Sequence, residues 1–192
     1  EVPQITETKA PMVEGEEMSG KLEHEAPGHE APLATARKEI LITGDKTVKI
    51  TGGVPGATEL SIRIPNGTEA KINIKLDVKK YYSEAISFNI GADCRLKIKY
   101  YQNSDSIILS RKEFEIGSRS HIHYEQVDLG GQVVSHSIFN LQDEAEIHSI
   151  SKHAGKEQHH DIFMEAIHHQ GSTARLEARN LLKDSTSISR GL

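Results

Sequence analysis

The chain has 192 residues and a net charge of −5, a length that allows one domain with a hydrophobic core. The charge is concentrated at the start, since residues 1–34 contain eight glutamates and two lysines. The near-neutral remainder offers no broad basic field, which argues against a nucleic-acid partner. The sequence contains no apolar run long enough to cross a bilayer and no signal-peptide pattern, so we expect a cytoplasmic protein without a membrane partner.

Residues 1–38 are predicted to form an acidic arm. They are rich in Glu, Pro and Gly and include a short duplication, HEAPGHEAP. Low hydrophobicity with high net charge is typical of disordered chain. The next stretch, EILITGDKTVKI, contains two short strand-like runs about Gly44 and Asp45. It therefore predicts a β-hairpin over residues 39–51.

From about residue 60 to residue 192, an alternation of apolar and polar side chains returns about every 25 residues. Each repeat has a small residue followed two positions later by an aliphatic one. The small residues are Ala70, Cys94, Ser120, Ala145 and Ala174, and the aliphatic ones are Ile72, Leu96, Ile122, Ile147 and Leu176. Six positions before each small residue stand Ile64, Phe88, Phe114, Phe139 and His168. Columns of equivalent side chains predict an all-β parallel β-helix, with residues 39–192 as its domain.

The competing fold is an antiparallel double-stranded barrel of the cupin type, which also suits short histidine-rich strands. It does not predict one constant period with aligned columns.

Three stretches carry a resemblance to a known family: FEIGSRSHIHYEQVDLGGQVV (114–134), FNLQDEAEIHSIS (139–151) and QHHDIFMEAIHHQGSTARLEARNLLKDSTSISRGL (158–192). They resemble the core of the SufB/SufD family, the scaffold proteins of the SUF iron–sulfur cluster assembly system. The resemblance implies a right-handed parallel β-helix. It also implies a SufC-like ABC-type ATPase, and a second SufB/SufD-type subunit or a second copy of the chain, as partners. A transient iron–sulfur cluster is the implied cofactor.

The sequence departs from that family in two places. The cysteine, glutamate and histidine that hold or hand over the cluster in the family lie on later coils, so we expect a fragment or a shortened relative whose cluster residues lie beyond Leu192. SufB-type members also tend to carry a sulfur-accepting cysteine where this sequence has Glu115. A carboxylate cannot accept persulfide sulfur.

Cys94 is the only cysteine, and its place among small residues predicts a buried, inert side chain. The alternative is a thiolate that ligates a cluster shared between two chains.

His123 and His148 occupy equivalent positions in consecutive coils, between Lys97 and Glu177. Side chains on neighbouring rungs lie about 5 Å apart, which would allow a shared metal ion with His121 as a third ligand. The alternative for His121, His123 and His148 is a solvated polar ladder.

The stretch QHHDIFMEAIHH, residues 158–169, is predicted to be a strand of the repeat. Its alternation places Ile162, Met164, Ala166 and His168 inside, with His168 packed in the phenylalanine column. Asp161, Phe163, Glu165, Ile167 and His169 then face outward, whereas His159 and His160 belong to the preceding loop. Exposed apolar residues on a strand indicate a partner surface, which we assign to Phe163 and Ile167.

No nucleophile–base pair and no phosphate-binding loop is evident, so we expect no enzymatic activity. The sequence favours a scaffold component of SUF-type iron–sulfur assembly. The alternatives are a self-associating structural β-helix of the bactofilin kind and a small metal-dependent barrel enzyme.

Overall fold

A computed structural model describes residues 4–9, 34–52, 56–79, 81–156, 159–183 and 186–191. Every regular element in these residues is a β-strand. The strands are β1 (Gln4–Lys9), β2 (Ala34–Leu41), β3 (Lys46–Gly52), β4 (Gly56–Ile64), β5 (Glu69–Val78), β6 (Tyr81–Ile90), β7 (Arg95–Asn103), β8 (Ile107–Ile116), β9 (His121–Leu129), β10 (Gln132–Leu141), β11 (Glu146–Lys156), β12 (His159–His168), β13 (Thr173–Lys183) and β14 (Thr186–Gly191). The described residues contain no helix that could cross a membrane.

The strands form two seven-stranded sheets that face each other across one core. The odd-numbered strands, in chain order, make sheet A, and the even-numbered strands make sheet B. From β2 onward every pairing is parallel, and each coil of about 26 residues contributes one strand to each sheet. The predicted parallel β-helix is therefore confirmed, and the barrel alternative is wrong because its strands would pair antiparallel.

The N-terminal end differs from the prediction. β1 pairs antiparallel with β3, from Gln4 opposite Thr51 to Lys9 opposite Lys46, and buries Ile5 against the core. The hairpin predicted over residues 39–51 is wrong, because β2 and β3 lie in different sheets. The part of the predicted arm that the structure describes is strand, in residues 4–9 and 34–38, and residues 1–3 and 10–33 lie outside the described residues.

The phenylalanine column is confirmed. The rings of Phe88 and Phe114 stack with centroids 4.3 Å apart, and Phe139 follows at 4.9 Å. Such aromatic pairs contribute about 1 kcal/mol each beyond the burial of their area. The column continues to Ile62 and Ala166, so the predicted end members, Ile64 and His168, are each displaced by one inward position.

The small-residue column needs the same kind of correction. Backbone hydrogen bonds connect equivalent corners of successive coils, from Arg95 N to Thr68 O up to Thr173 N to Ala145 O. The corner residues are Thr68, Cys94, Ser120, Ala145 and Ser172. Ala70 and Ala174 instead pair with Leu96 and Ile147. Thr68 and Ser172 occupy the first and last corners. An alanine follows each of them two positions later, and the prediction placed these alanines at the corners instead.

From the corner between β4 and β5 onward, the same corner of each described coil holds one residue in the left-handed backbone region. The φ angles are 70° at Gly67, 59° at Asp93, 56° at Arg119, 59° at Glu144 and 69° at Gly171. Asp93 and Arg119 compensate part of the cost of this conformation through two hydrogen bonds of 2.8 and 2.9 Å between their side chains. Consecutive coils thus turn with one repeated geometry, which keeps the strands in register.

Candidate functional site

His123 and His148 lie on the outer face of sheet A, directly opposite each other on β9 and β11. Their ring centroids are 5.2 Å apart in an edge-to-face arrangement. The pKa of His123 is lowered, first by partial burial and then by His148 and nearby lysines. The neighbours in register are Lys97 and Arg175, so the predicted place of Glu177 is wrong by one outward position.

Two of the three imidazoles that were predicted to bind metal already contact a carboxylate. His148 Nε2 lies 2.8 Å from Glu177 Oε1, and His121 Nδ1 lies 2.9 Å from Glu146 Oε2 in the neighbouring column. Arg179 and His148 hydrogen-bond to Glu177 and lower its pKa to about 2. The described residues contain no group of three or more His, Cys, Asp or Glu side chains that could hold a metal ion. His121, His123 and His148 lie together on the outer face of sheet A, and metal binding by these three side chains stays a prediction.

Cys94 lies at a corner and is fully buried, as predicted. Its backbone N–H donates to Ser120 Oγ at 3.0 Å, and its Sγ lies 3.2 Å from the carbonyl oxygen of Pro65. A thiol enclosed by backbone and a neighbouring corner cannot reach a second chain without opening the coil. Its assignment to a shared cluster has no geometric support.

The histidines of QHHDIFMEAIHH are distributed differently from the prediction. His160 lies on β12 and is fully buried, and burial followed by the neighbouring His153 lowers its pKa. His168 is exposed, and its Nδ1 lies 3.0 Å from Ser172 Oγ. The packed histidine of this strand is therefore His160. β14 pairs with β12 only over His159–Met164, which leaves His168 uncovered within the described residues.

Sheet B carries the exposed apolar side chains of the predicted partner surface and others besides. Ile167 is 53% exposed, as expected for a partner residue, whereas Phe163 is half-buried against His136 at 4.7 Å. Leu109 and Val134, which were not predicted as partner residues, are directly opposite each other on β8 and β10 and are 54% and 47% exposed.

Of the 50 buried side chains in the described residues, 16 are polar or charged, a feature that was not predicted from the sequence. Twelve buried side chains that carry polar groups, tyrosines included, lie toward the corner opposite Cys94: Tyr82, Glu84, Tyr100, Gln102, Ser110, Lys112, Gln126, Asp128, Ser135, Ser151, His153 and His160. Their inward direction was available from the alternation, since Lys112 is two residues before Phe114.

Glu84 and Lys112 form a fully buried ion pair at 3.2 Å. Tyr100 Oη and Ser110 Oγ donate to Glu84 Oε1 at 2.7 and 2.6 Å. Lys112 Nζ also lies 4.0 Å from the centre of the Tyr100 ring, a cation–π contact. The ammonium and Glu84 Oε1 thus compensate each other inside the coil, whereas Glu84 Oε2 is buried without a hydrogen-bond partner among the described residues.

A second buried group lies toward β11. Asp128 Oδ2 accepts from Gln126 Nε2 at 2.7 Å and lies 3.0 Å from His153 Nδ1. The other imidazole nitrogen of His153 lies 2.8 Å from Ser151 Oγ. These contacts resemble a hydrolytic triad in composition. Because all of the groups are buried, a substrate cannot reach them without unfolding the coil, and we assign them a structural role.

The fold is a β-solenoid of about five turns. Comparison with protein-family models, with curated proteins and with solved structures gives no match.

Proposed function

We propose that this chain is a non-enzymatic scaffold component of SUF-type iron–sulfur cluster assembly, acting in the cytoplasm with a SufC-like ABC-type ATPase and a second SufB/SufD-type subunit. The observation that carries the proposal is that the fold agrees with the resemblance of the sequence. The stretches at 114–134 and 139–151 resemble the SufB/SufD core, and the fold implied by that resemblance, a parallel β-helix, is the fold of the chain.

The distribution of polar groups supports a scaffold over an enzyme. The best candidate for acid–base chemistry, the group of Asp128, Ser151 and His153, is buried. The outer face of sheet B presents Ile167, Leu109 and Val134 to solvent. Exposed apolar residues on a rigid sheet suit protein–protein contact.

In this proposal an iron–sulfur cluster is cargo of the assembled complex. Cys94 is enclosed, so in this proposal the cluster ligands would come from the partner subunit.

The decisive experiment is co-expression with a SufC-like ATPase and a SufB/SufD-type subunit from the same genome, followed by size-exclusion chromatography with light scattering. We expect one complex that contains all three chains. Elution of this chain alone would overturn the proposal. Concentration-dependent filaments of the isolated chain would instead support the self-associating structural β-helix.

A matched pair of variants tests the surface. Ile167→Ser removes an exposed apolar side chain from the predicted partner surface, and Leu41→Ser removes one of similar exposure, 59% against 53%, from the first coil of the same sheet. We expect Ile167→Ser to weaken the complex by about tenfold, since an interface anchor contributes more than 1 kcal/mol. Equal affinities of the two variants would exclude Ile167 from the interface.

A further inference from the structure

The outer face of sheet A carries lysines that are stacked on one another. Parallel pairing places Lys49 of β3 directly opposite Lys75 of β5, and Lys71 of β5 directly opposite Lys97 of β7. All four side chains are exposed. Equivalent positions on neighbouring rungs are about 4.8 Å apart, and like charges directly opposite each other destabilise a sheet.

The carboxylates around these lysines lie beyond ion-pair distance of the ammonium groups in the described residues. None of the four ammonium groups makes an ion pair in the part of the chain that the structure describes. Asp45, the carboxylate beside Lys71, accepts a hydrogen bond of 2.7 Å from the Lys71 backbone N–H. We refer to Lys49, Lys71, Lys75 and Lys97 as the lysine patch.

The opposite sheet shows that unpaired cations are not a general property of this surface. On sheet B, Arg37 Nε lies 2.8 Å from Glu59 Oε2, and Arg63 Nη1 lies 3.3 Å from Glu39 Oε1. Even on sheet A, Lys99 reaches Glu125 at 3.6 Å. The lysine patch is therefore a local cluster of exposed cations, whose stacked charges we expect to repel one another.

The charges at its rim favour one kind of ligand. Glu69 and Asp77 lie on β5, one outward position before Lys71 and one after Lys75. Arg95 lies directly opposite Glu69, so the rim is of mixed sign. A nucleic-acid backbone or an anionic membrane is uniformly negative and matches a surface of mixed sign poorly. A polypeptide can place carboxylates over the lysines and leave neutral or basic side chains at the rim.

We propose that the lysine patch is a docking surface for an acidic segment of a partner protein. The surface lies on sheet A, apart from the apolar residues of sheet B, and it does not depend on a role in cluster assembly.

The test uses a fluorescein-labelled peptide of alternating Glu and Ser as a probe, with anisotropy measured at low salt and at about 0.15 M salt, where charges are screened beyond about 8 Å. The variant is Lys71→Gln/Lys97→Gln. Its matched control, Arg37→Gln/Arg63→Gln, removes the same charge from sheet B. We expect the Kd to rise roughly fivefold to tenfold in the variant, from the loss of two solvent-exposed charge contacts, and to stay within about twofold in the control.

A second readout separates a docking role from a structural one. If the stacked lysines repel each other, Lys71→Gln/Lys97→Gln raises the midpoint of thermal unfolding while it weakens peptide binding. The proposal is overturned if the variant and the control bind the peptide equally, if the unmodified chain does not bind it, or if a single-stranded oligonucleotide of equal charge or an anionic vesicle binds more tightly than the peptide. A fall in the unfolding midpoint of the variant would likewise contradict it, because the lysines would then stabilise the sheet.

Discussion

Gly117 lies against the backbone of the preceding coil at the repeated corner. A Cβ atom on this residue would lie 2.5 Å from Gly91 C and 2.6 Å from Ala92 N, and neither backbone atom can move without shifting a strand end. The close approach explains why a glycine follows Ile116 at this corner.

The change Gly117→Ala is therefore expected to reduce the free energy of unfolding by about 2 kcal/mol or more, as overpacking does. Gly44→Ala is the control, because a Cβ atom on Gly44 meets nothing within 4 Å, and it should be neutral or slightly stabilising. Urea unfolding followed by circular dichroism measures both. Equal losses in the two variants would show that the corner is less tightly packed than the structure indicates.

His160 gives the chain a pH-dependent stability. Burial, and next the neighbouring His153, lowers its pKa, while Asp128 opposes the shift. The unfolded chain therefore binds more protons than the folded chain below the ordinary histidine pKa of about 6.5. The contribution of His160 favours the folded state above that pH and is lost as the pH falls through 6.5 toward the folded pKa.

Replacing His160 with leucine should flatten this dependence, because the side chain no longer titrates. Chemical unfolding at pH values between about 5 and 8 measures it, and a His169→Gln variant serves as the control because His169 is exposed. A pH profile unchanged by His160→Leu would assign the dependence to another group.

At the scale of the strands, Glu84 of β6 and Lys112 of β8 form a buried ion pair, and replacing one partner should cost more stability than replacing both. Removing only Lys112 leaves Glu84 charged in the core, so Lys112→Met should cost about 3–5 kcal/mol. The double variant Glu84→Gln/Lys112→Met has no buried charge and should recover most of that loss.

A double-mutant cycle with urea unfolding measures the coupling between Glu84 and Lys112. The exposed pair of Arg37 and Glu59 provides the comparison, where the corresponding coupling should be below about 1 kcal/mol. A coupling near zero for the buried pair would mean that each charge is compensated by other groups, such as Tyr100.

Across the whole molecule, packing weakens toward the last coil. Leu96 and Ile122 are buried, whereas the equivalent Ala174 on β13 is half-buried. Hydrogen–deuterium exchange should therefore be slowest in β7 to β10 and faster in β13, since local opening is easier where fewer apolar groups are buried. Uniform protection through all coils would contradict this gradient.

The period, the strand alternation and the phenylalanine column were sufficient to predict the parallel β-helix. Every coil must bury side chains at the same positions, so the same pattern returns in the sequence. The ends were harder to predict. The corner changes from Cys94 and Ser120 to Thr68 and Ser172, and pairing with β1 makes the first coil unlike the others. The candidate sites were less predictable still. The alternation along the sequence shows that Lys112 points inward, but it does not show that Lys112 forms an ion pair with Glu84.

The buried charges also bear on how a repeated chain avoids misfolding. Because the coils have nearly equal length and a similar pattern, a strand could pair with the wrong coil and still bury most of its apolar side chains. Glu84 meets Lys112 only when β6 lies beside β8, and Asp128 meets His153 only when β9 lies beside β11. A chain displaced by one coil would bury an ammonium and a carboxylate apart from each other, at several kcal/mol for each ion. We therefore expect the two polar groups to penalise assemblies in which β6 and β8, or β9 and β11, are not neighbours.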